Sequence, residues 1–275
     1  MVNSYARLSV VKSDYGISGT SKDAELLRLI PDVSRAVDNE VRRRFYSEIA
    51  TRYFDTTGKA DLWFPTPTPD VLTVTTLKVD EDGDGVYELT LTENTDFWLW
   101  PYNETPKMRA IINPASGAIS RFPNGRRRVE LVGECGYSSE TELTGATVDD
   151  NPLTDSATVI NVAVGGGLLV DVGETLVLES EQVHVSSIAT DALTVVRGVN
   201  GTTAASHVQT TVVSRRRYEG PIERAVTMQT IRFLRDQQTG ASGEVGSNEV
   251  GGFSFTTLYP AIRDMIAPYR VLDAA

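Results

Sequence analysis

Residues 72–91 read LTVTTLKVDEDGDGVYELTL, and the fold of this part of the chain depends on whether the acidic centre is a calcium loop between helices or a turn between strands. An EF-hand loop needs oxygen ligands at positions 1, 3 and 5, glycine at 6 and a bidentate carboxylate at 12. Counting from Asp80, the early positions are filled by Asp80, Asp82, Asp84 and Gly85, but position 12 is Leu91. The flanks LTVTTLKV and VYELTL alternate like paired strands, whereas an EF-hand requires helices. Gly83 and Gly85 supply the positive φ that hairpin turns demand. The stretch is therefore expected to be a hairpin tip, with Asp80, Asp82 and Asp84 kept as a weak surface candidate for a metal.

On the N-terminal side, residues 21–49 place Leu26, Ile30, Val33, Val37, Val41 and Phe45 at helical spacing. This predicts an amphipathic helix, or two, with Ser21 as N-cap and Pro31 kinking the helix or opening its second half. After Thr51 the period changes to two. Tyr53, Phe54, Leu62, Trp63 and Phe64 around Asp55–Gly58 read as a β-hairpin, and Pro65, Pro67 and Pro69 hold the exit extended. DFWLW, MRAIIN and RRVELVGECGY continue the β texture to about Tyr137.

Residues 144–214 are Val- and Thr-rich, with five short apolar runs between Gly and Asp turns, and predict a small all-β barrel or sandwich. Helical texture returns in IERAVTMQTIRFLRDQQ after Pro221, whose apolar residues, Met228 and Phe233 among them, cover most of the helix surface. Such a helix is either buried on several sides or packed against neighbouring subunits. Residues 239–252 hold five glycines and read as a flexible arm ending in a short amphipathic segment that includes Leu258, Ile262 and Ile266. A tethered amphipathic end suits docking on a partner, with docking on its own subunit as the alternative.

The expected fold class is thus α+β: a helical bundle core with β-hairpins and an inserted small all-β barrel or sandwich. The expected domains are a connector core at 1–143, the β insert at 144–214, and a return to the core at 215–275.

Composition excludes several functions. A single cysteine, Cys135, permits no intrachain disulfide, and two histidines leave no Cys/His zinc cluster. No secretory signal and no apolar run near the roughly 20 residues of a bilayer span appear, so a soluble protein made in a reducing cytoplasm is expected. A net charge of -11 disfavours general nucleic-acid binding. The triplets Arg42-Arg43-Arg44, Arg126-Arg127-Arg128 and Arg215-Arg216-Arg217 are read as solvated or subunit-pairing groups, with DNA-backbone contact as the alternative.

His184 alternates with valines in an apparent strand, and Ser206 beside His207 has no nucleophile-elbow context. VGGGLL lacks dinucleotide spacing, and Glu179 with Glu181 reads as a strand surface. Phe97, Trp98, Trp100 and Tyr102 form the densest aromatic cluster, a core if buried and a stacking platform if exposed. No catalytic residue and no cofactor are assigned, and a non-enzymatic role is expected.

The order of features resembles the head-tail connector, or adaptor, proteins of tailed bacteriophages. The resemblance is carried by ELLRLIPDVSRAVDNEVRRRF, RYFDTTGKADLWFP, LTVTTLKVDEDGDGVYELT, IERAVTMQTIRFLRDQ and LYPAIRDMIAPYRVL in that order. It covers roughly residues 5–140 and 218–272. The intervening piece departs from the smaller helical connectors, and its VVRGVNGTTAASH run is similar to a β module recurring in phage virion proteins. That run reads as strand, turn and short helix, with Arg197 placed to pair with Glu181.

The resemblance implies a homo-oligomeric ring, commonly dodecameric, at the head-tail interface of the virion. Such a ring binds the portal protein, meets tail or neck proteins, and extends the channel for packaged DNA, with no membrane involved. It also implies portal docking by the C-terminal segment, carried onto Phe253, Phe255, Leu258, Ile262, Ile266 and Tyr269. Arg42, Arg43, Arg44, Met228 and Phe233 become subunit-interface candidates. The alternatives are another neck or tail-completion protein, or a carbohydrate- or calcium-binding β module on a virion.

Overall fold

In the computed structural model, which describes residues 3–64, 70–239 and 258–271, three antiparallel sheets hold 35% of the chain and four short helices 23%. The expected helical-bundle core is absent, and the protein is mostly β. The reason lies in the helix lengths and in where the apolar residues fall. Helices α1 (Leu8–Asp14) and α4 (Pro260–Ile266) have 7 residues each, about two turns, too short to line a bundle. Helix α2 (Asp23–Val41) runs through Pro31 without ending and packs its single apolar face on α3 (Gly220–Thr239). Most other apolar side chains lie on strands.

The chain divides into two compact units, one of Met1–Val41 with Glu140–Arg270, the other essentially Arg42–Ser139. The first therefore groups the N-terminal helices with the barrel and the C-terminal helices, where sequence texture placed its boundaries at 143/144 and 214/215.

The Arg42–Ser139 unit holds two sheets. One has the order β1–β7–β3–β4, from β1 (Glu48–Thr57), β7 (Asn124–Cys135), β3 (Val71–Val79) and β4 (Leu89–Leu91). The other has β2 (Asp61–Trp63), β6 (Arg109–Ile112) and β5 (Phe97–Trp100) in the order β2–β6–β5. The hairpin expected between β1 and β2 does not form. β1 pairs with β7 from Glu48↔Cys135 to Thr57↔Asn124, and the Gly58 turn hands β2 to the second sheet, opposite β6. The 12-residue β7 offers β1 a far longer partner than the 3-residue β2 could. Phe54, Leu77, Leu91, Phe97, Leu99, Phe122 and Leu131 are among the side chains that fill the common core. Of the aromatic cluster, Phe97 is core, Trp98 and Trp100 are half-buried on the opposite face, and Tyr102 is exposed.

The 144–214 segment forms a barrel once β8 (Thr141–Thr147), taken from TELTGAT, is added. β9 (Val159–Asn161), β10 (Thr175–Leu178), β11 (Glu181–Ala189), β12 (Ala192–Val196) and β13 (Val212–Arg216) complete the order β8–β13–β10–β11–β12–β9. The sheet closes on itself where Asp149 N donates to Asn161 O (2.8 Å) and Ala163 N to Thr147 O (2.9 Å) across the Val148↔Val162 bridge. Leu176, Leu178, Val183, Val185, Leu193 and Val213 point inward, as the two-residue alternation of a closed sheet requires. The short helix expected at Thr202–Ala205 is irregular backbone instead, because Thr202 is used otherwise: its hydroxyl donates to Val199 O and accepts from Gln182 N.

Pro65, Pro67 and Pro69, the Gly-rich stretch beyond Thr239, and Phe253 and Phe255 lie outside the described residues.

Gly133 of β7 is where β3 comes closest, since a Cβ there would stand 2.1 Å from Thr73 O. Gly133→Ala should cost about 1–3 kcal/mol by forcing the strands apart, read as a lower midpoint in urea unfolding.

Candidate functional site

The Asp80 loop is the tip of the β3–β4 hairpin, whose register runs Leu77↔Leu91 to Val79↔Leu89. Asp80 is buried and organises the turn. One carboxylate oxygen accepts from Gly83 N and from Arg128 Nη1 (3.1 Å), and the other accepts from Gly85 N (3.1 Å). Burial alone would raise this carboxyl, but the two backbone donors and Arg128 outweigh it and hold it below the ordinary carboxylate range. Asp82 and Asp84 cap the next turns, accepting from Asp84 N (3.1 Å) and Val86 N (2.7 Å).

The structure adds one residue to this cluster. Glu88 folds back so that ligand atoms of Asp80, Asp82, Asp84 and Glu88 lie within 4.8 Å of one another. These four could hold a hard cation, but Arg128 already supplies the positive charge at Asp80. Glu88 comes within reach because a hairpin, unlike a helix, returns the chain within a few residues.

The arginine triplets each spend a member on a local partner. Arg43 pairs with Asp70 (3.0 Å) and lies over the Tyr137 ring (4.8 Å), Arg128 binds Asp80, and Arg215 meets Glu174 (3.1 Å) and Glu142 (3.5 Å). Arg44 bridges Glu48 (3.0 Å), and Arg42 holds a left-handed backbone with φ 59°. Met228 and Phe233 are half-buried on α3, and Met228 lines a groove with Val10 and Tyr15 of the α1 region. Leu258, Ile262 and Ile266 are buried within their own unit, and Tyr269 is half-exposed. The structure does not gather these candidates into one site.

Inside the barrel, Arg197 reaches Glu181 with two bonds (Nε–Oε1 2.6 Å, Nη2–Oε2 2.7 Å), the pairing expected from sequence. Gly198 N, Ala205 N and His207 Nε2 (2.9 Å) also face this fully buried carboxylate. His207 Nδ1 meets Glu179 (2.8 Å), so both ring nitrogens are engaged. Burial would raise Glu181, yet Arg197, His207 and the Ala205 N–H bring it down to about 2. Beside the barrel, a cavity of about 160 Å³ is lined by Tyr5, Arg7, Glu142, Glu174, Arg215 and Glu223, among others. Burial pushes the Glu174 carboxyl up to about 7 despite Arg215.

Among the described residues, the most exposed large apolar side chains lie on the barrel. Val164 is 99% exposed, Leu168 89% and Leu143 75%. The loop that carries the first two is tethered to the β11–β12 turn. Gly165 takes φ 83°, and Gly167 lies against the β11–β12 turn so closely that a Cβ would stand 1.8 Å from Thr190 O. Its N–H is also fixed to Asp191 Oδ1 (3.0 Å). A 3-10 turn, Gly166–Leu169, packs on β8 and brings Leu169 against Gly145, two residues from Leu143. Sequence offered only the glycine run VGGGLL as a signal, and glycines do not say which way a loop faces.

Comparison with known proteins yields no match to a family model, to a curated protein or to a solved structure.

Two outcomes follow for the buried charges. Glu181→Gln should cost about 3–5 kcal/mol in chemical unfolding, because it strands Arg197 in the barrel. Glu174 is protonated more readily in the folded protein than in the unfolded chain. Its stabilising contribution is complete below its ordinary pKa and is lost as pH rises through about 7. Denaturant unfolding at pH 5 and pH 8 should show that loss, on the order of 1–3 kcal/mol, and Glu174→Gln should flatten it. Asp70, pushed up to about 6 by burial against the pull of Arg43, adds a slope of the same sign that this variant leaves in place.

Proposed function

We propose that the chain is a non-enzymatic structural subunit of a homo-oligomeric ring at the head-tail joint of a tailed-phage virion. In this reading the ring joins the portal to tail or neck proteins and extends the channel for packaged DNA. The observation that carries the assembly part is the glycine-locked apolar tip. Leaving Val164 and Leu168 in water forgoes about 1.5–3 kcal/mol for each side chain relative to burial. A fold that fixes such residues outward recovers that energy only in an assembled state. The placement at the head-tail joint rests on the resemblance in element order. A net charge of -11 is consistent with a channel wall along which DNA slides without sticking.

In this reading the portal-docking role of Leu258, Ile262 and Ile266 requires α4 to leave its groove, since all three are buried on their own unit. The carbohydrate alternative draws on Trp63, which is more than half exposed, and on Tyr102. It is weakened by Arg109, whose guanidinium lies over both the Trp63 ring (4.7 Å) and the Trp100 ring (4.8 Å), where a sugar would stack.

The test is the mass of the particle in solution. Light scattering after size exclusion should give a multimer for the native chain, and a protomer for Val164→Asp with Leu168→Asp, with unfolding midpoints unchanged. A native chain that stays monomeric at high concentration and ignores portal particles would sink the proposal.

A further inference from the structure

Helix α4 is held in place by contacts that name its partner. Leu258, Ile262 and Ile266 are at most 1% exposed, and α4 packs on α3 and α2. Tyr259 N donates to Gln229 Oε1 (3.2 Å), and the Tyr259 hydroxyl donates to Asp236 Oδ2 (2.6 Å). Arg232 lies over the Tyr259 ring (4.3 Å), and Arg263 faces Glu40 (3.6 Å). Gln229 is fully buried and its side-chain oxygen takes the Tyr259 N–H, so the groove favours a segment that brings a backbone N–H to that point. That selectivity makes α4 the chemically matched occupant.

The chain supplies far more length than this docking needs. Gln229 precedes Thr239 by ten residues, about 15 Å of helix at 1.5 Å per residue. Re-entry at Tyr259 therefore lies roughly 15–20 Å from the helix end, a gap that five or six extended residues cross at about 3.3 Å each. The sequence places eighteen residues, 240–257, in that connection. Their extended reach is about 60 Å, beyond the groove of the same copy.

We infer that α4 is an exchangeable arm that seats in the α2/α3 groove of a second copy of this chain as well as in its own. Own and exchanged docking make the same contacts, so the balance between them is set by the connection and by how near the neighbour stands. Exchange links neighbouring copies without any new interface chemistry. The inference goes beyond the ring proposal and does not depend on it.

The experiment uses two full-length chains of different mass, one carrying Asp236→Cys and the other Tyr259→Cys, co-expressed and treated with a short bismaleimide. Neither chain can cross-link these positions within itself, and the native Cys135 is buried. A chain carrying both substitutions shows that the reagent spans the docked pair. The expected result is a covalent heterodimer that is lost when Leu258→Asp is added to the Tyr259→Cys chain. No heterodimer, while the doubly substituted chain closes internally, would overturn the inference. So would a heterodimer that survives Leu258→Asp, since that reports encounter rather than docking. A heterodimer from a protein that fails the light-scattering test would show exchange without the ring, so the two claims fail separately.

Discussion

The buried Glu181 carboxylate is the charge on which the barrel depends. An unpaired carboxylate in such a place would cost several kcal/mol, and the loop from Arg197 to His207 exists in its observed path because it delivers every donor that carboxylate needs. Arg197 gives two bonds, the backbone at Gly198 and Ala205 gives two more, and His207 closes the set. The same arginine also donates to Thr154 O and Ala157 O, which ties the stretch leading into β9 to the end of β12.

A completed interior sharpens the contrast with the exterior. The barrel's buried charge is saturated by its own chain, whereas Val164 and Leu168 face water on a loop that Gly167 pins against Thr190, and Leu143 faces water on β8. Polar chemistry in this protein is directed inward to build the fold, and apolar chemistry at the tip is directed outward. The arginine triplets follow the same economy, since Arg43, Arg128 and Arg215 pair with Asp70, Asp80 and Glu174 within their own units.

Much of the β structure was legible because alternation is a local signal. The hairpin around VDEDGDGVYE, the strands that became β10 to β13 and the Arg197–Glu181 pair all rest on residues close in sequence or on a two-residue period. Pairing was not legible. Tyr53–Phe54 and Leu62–Trp63 look like one hairpin, yet β1 chose β7, seventy residues away, since length of ladder outweighs proximity along the chain. The helical core was over-read because α2 and α3 have the strongest periodicity in the chain, and periodicity reports a helix's face but not how much of the fold it carries. The exposed pair Val164 and Leu168 escaped because their position follows from how a loop is aimed, which glycine content permits and tertiary contact decides.

The central claim is that the apolar tip of the barrel is a contact between copies in an assembled ring. Cryo-electron microscopy of the purified native chain tests it most directly. The account predicts closed, rotationally symmetric particles in which Val164 and Leu168 are buried against the adjacent copy. Particles whose contacts leave both side chains in solvent, or a field of single protomers, would contradict it.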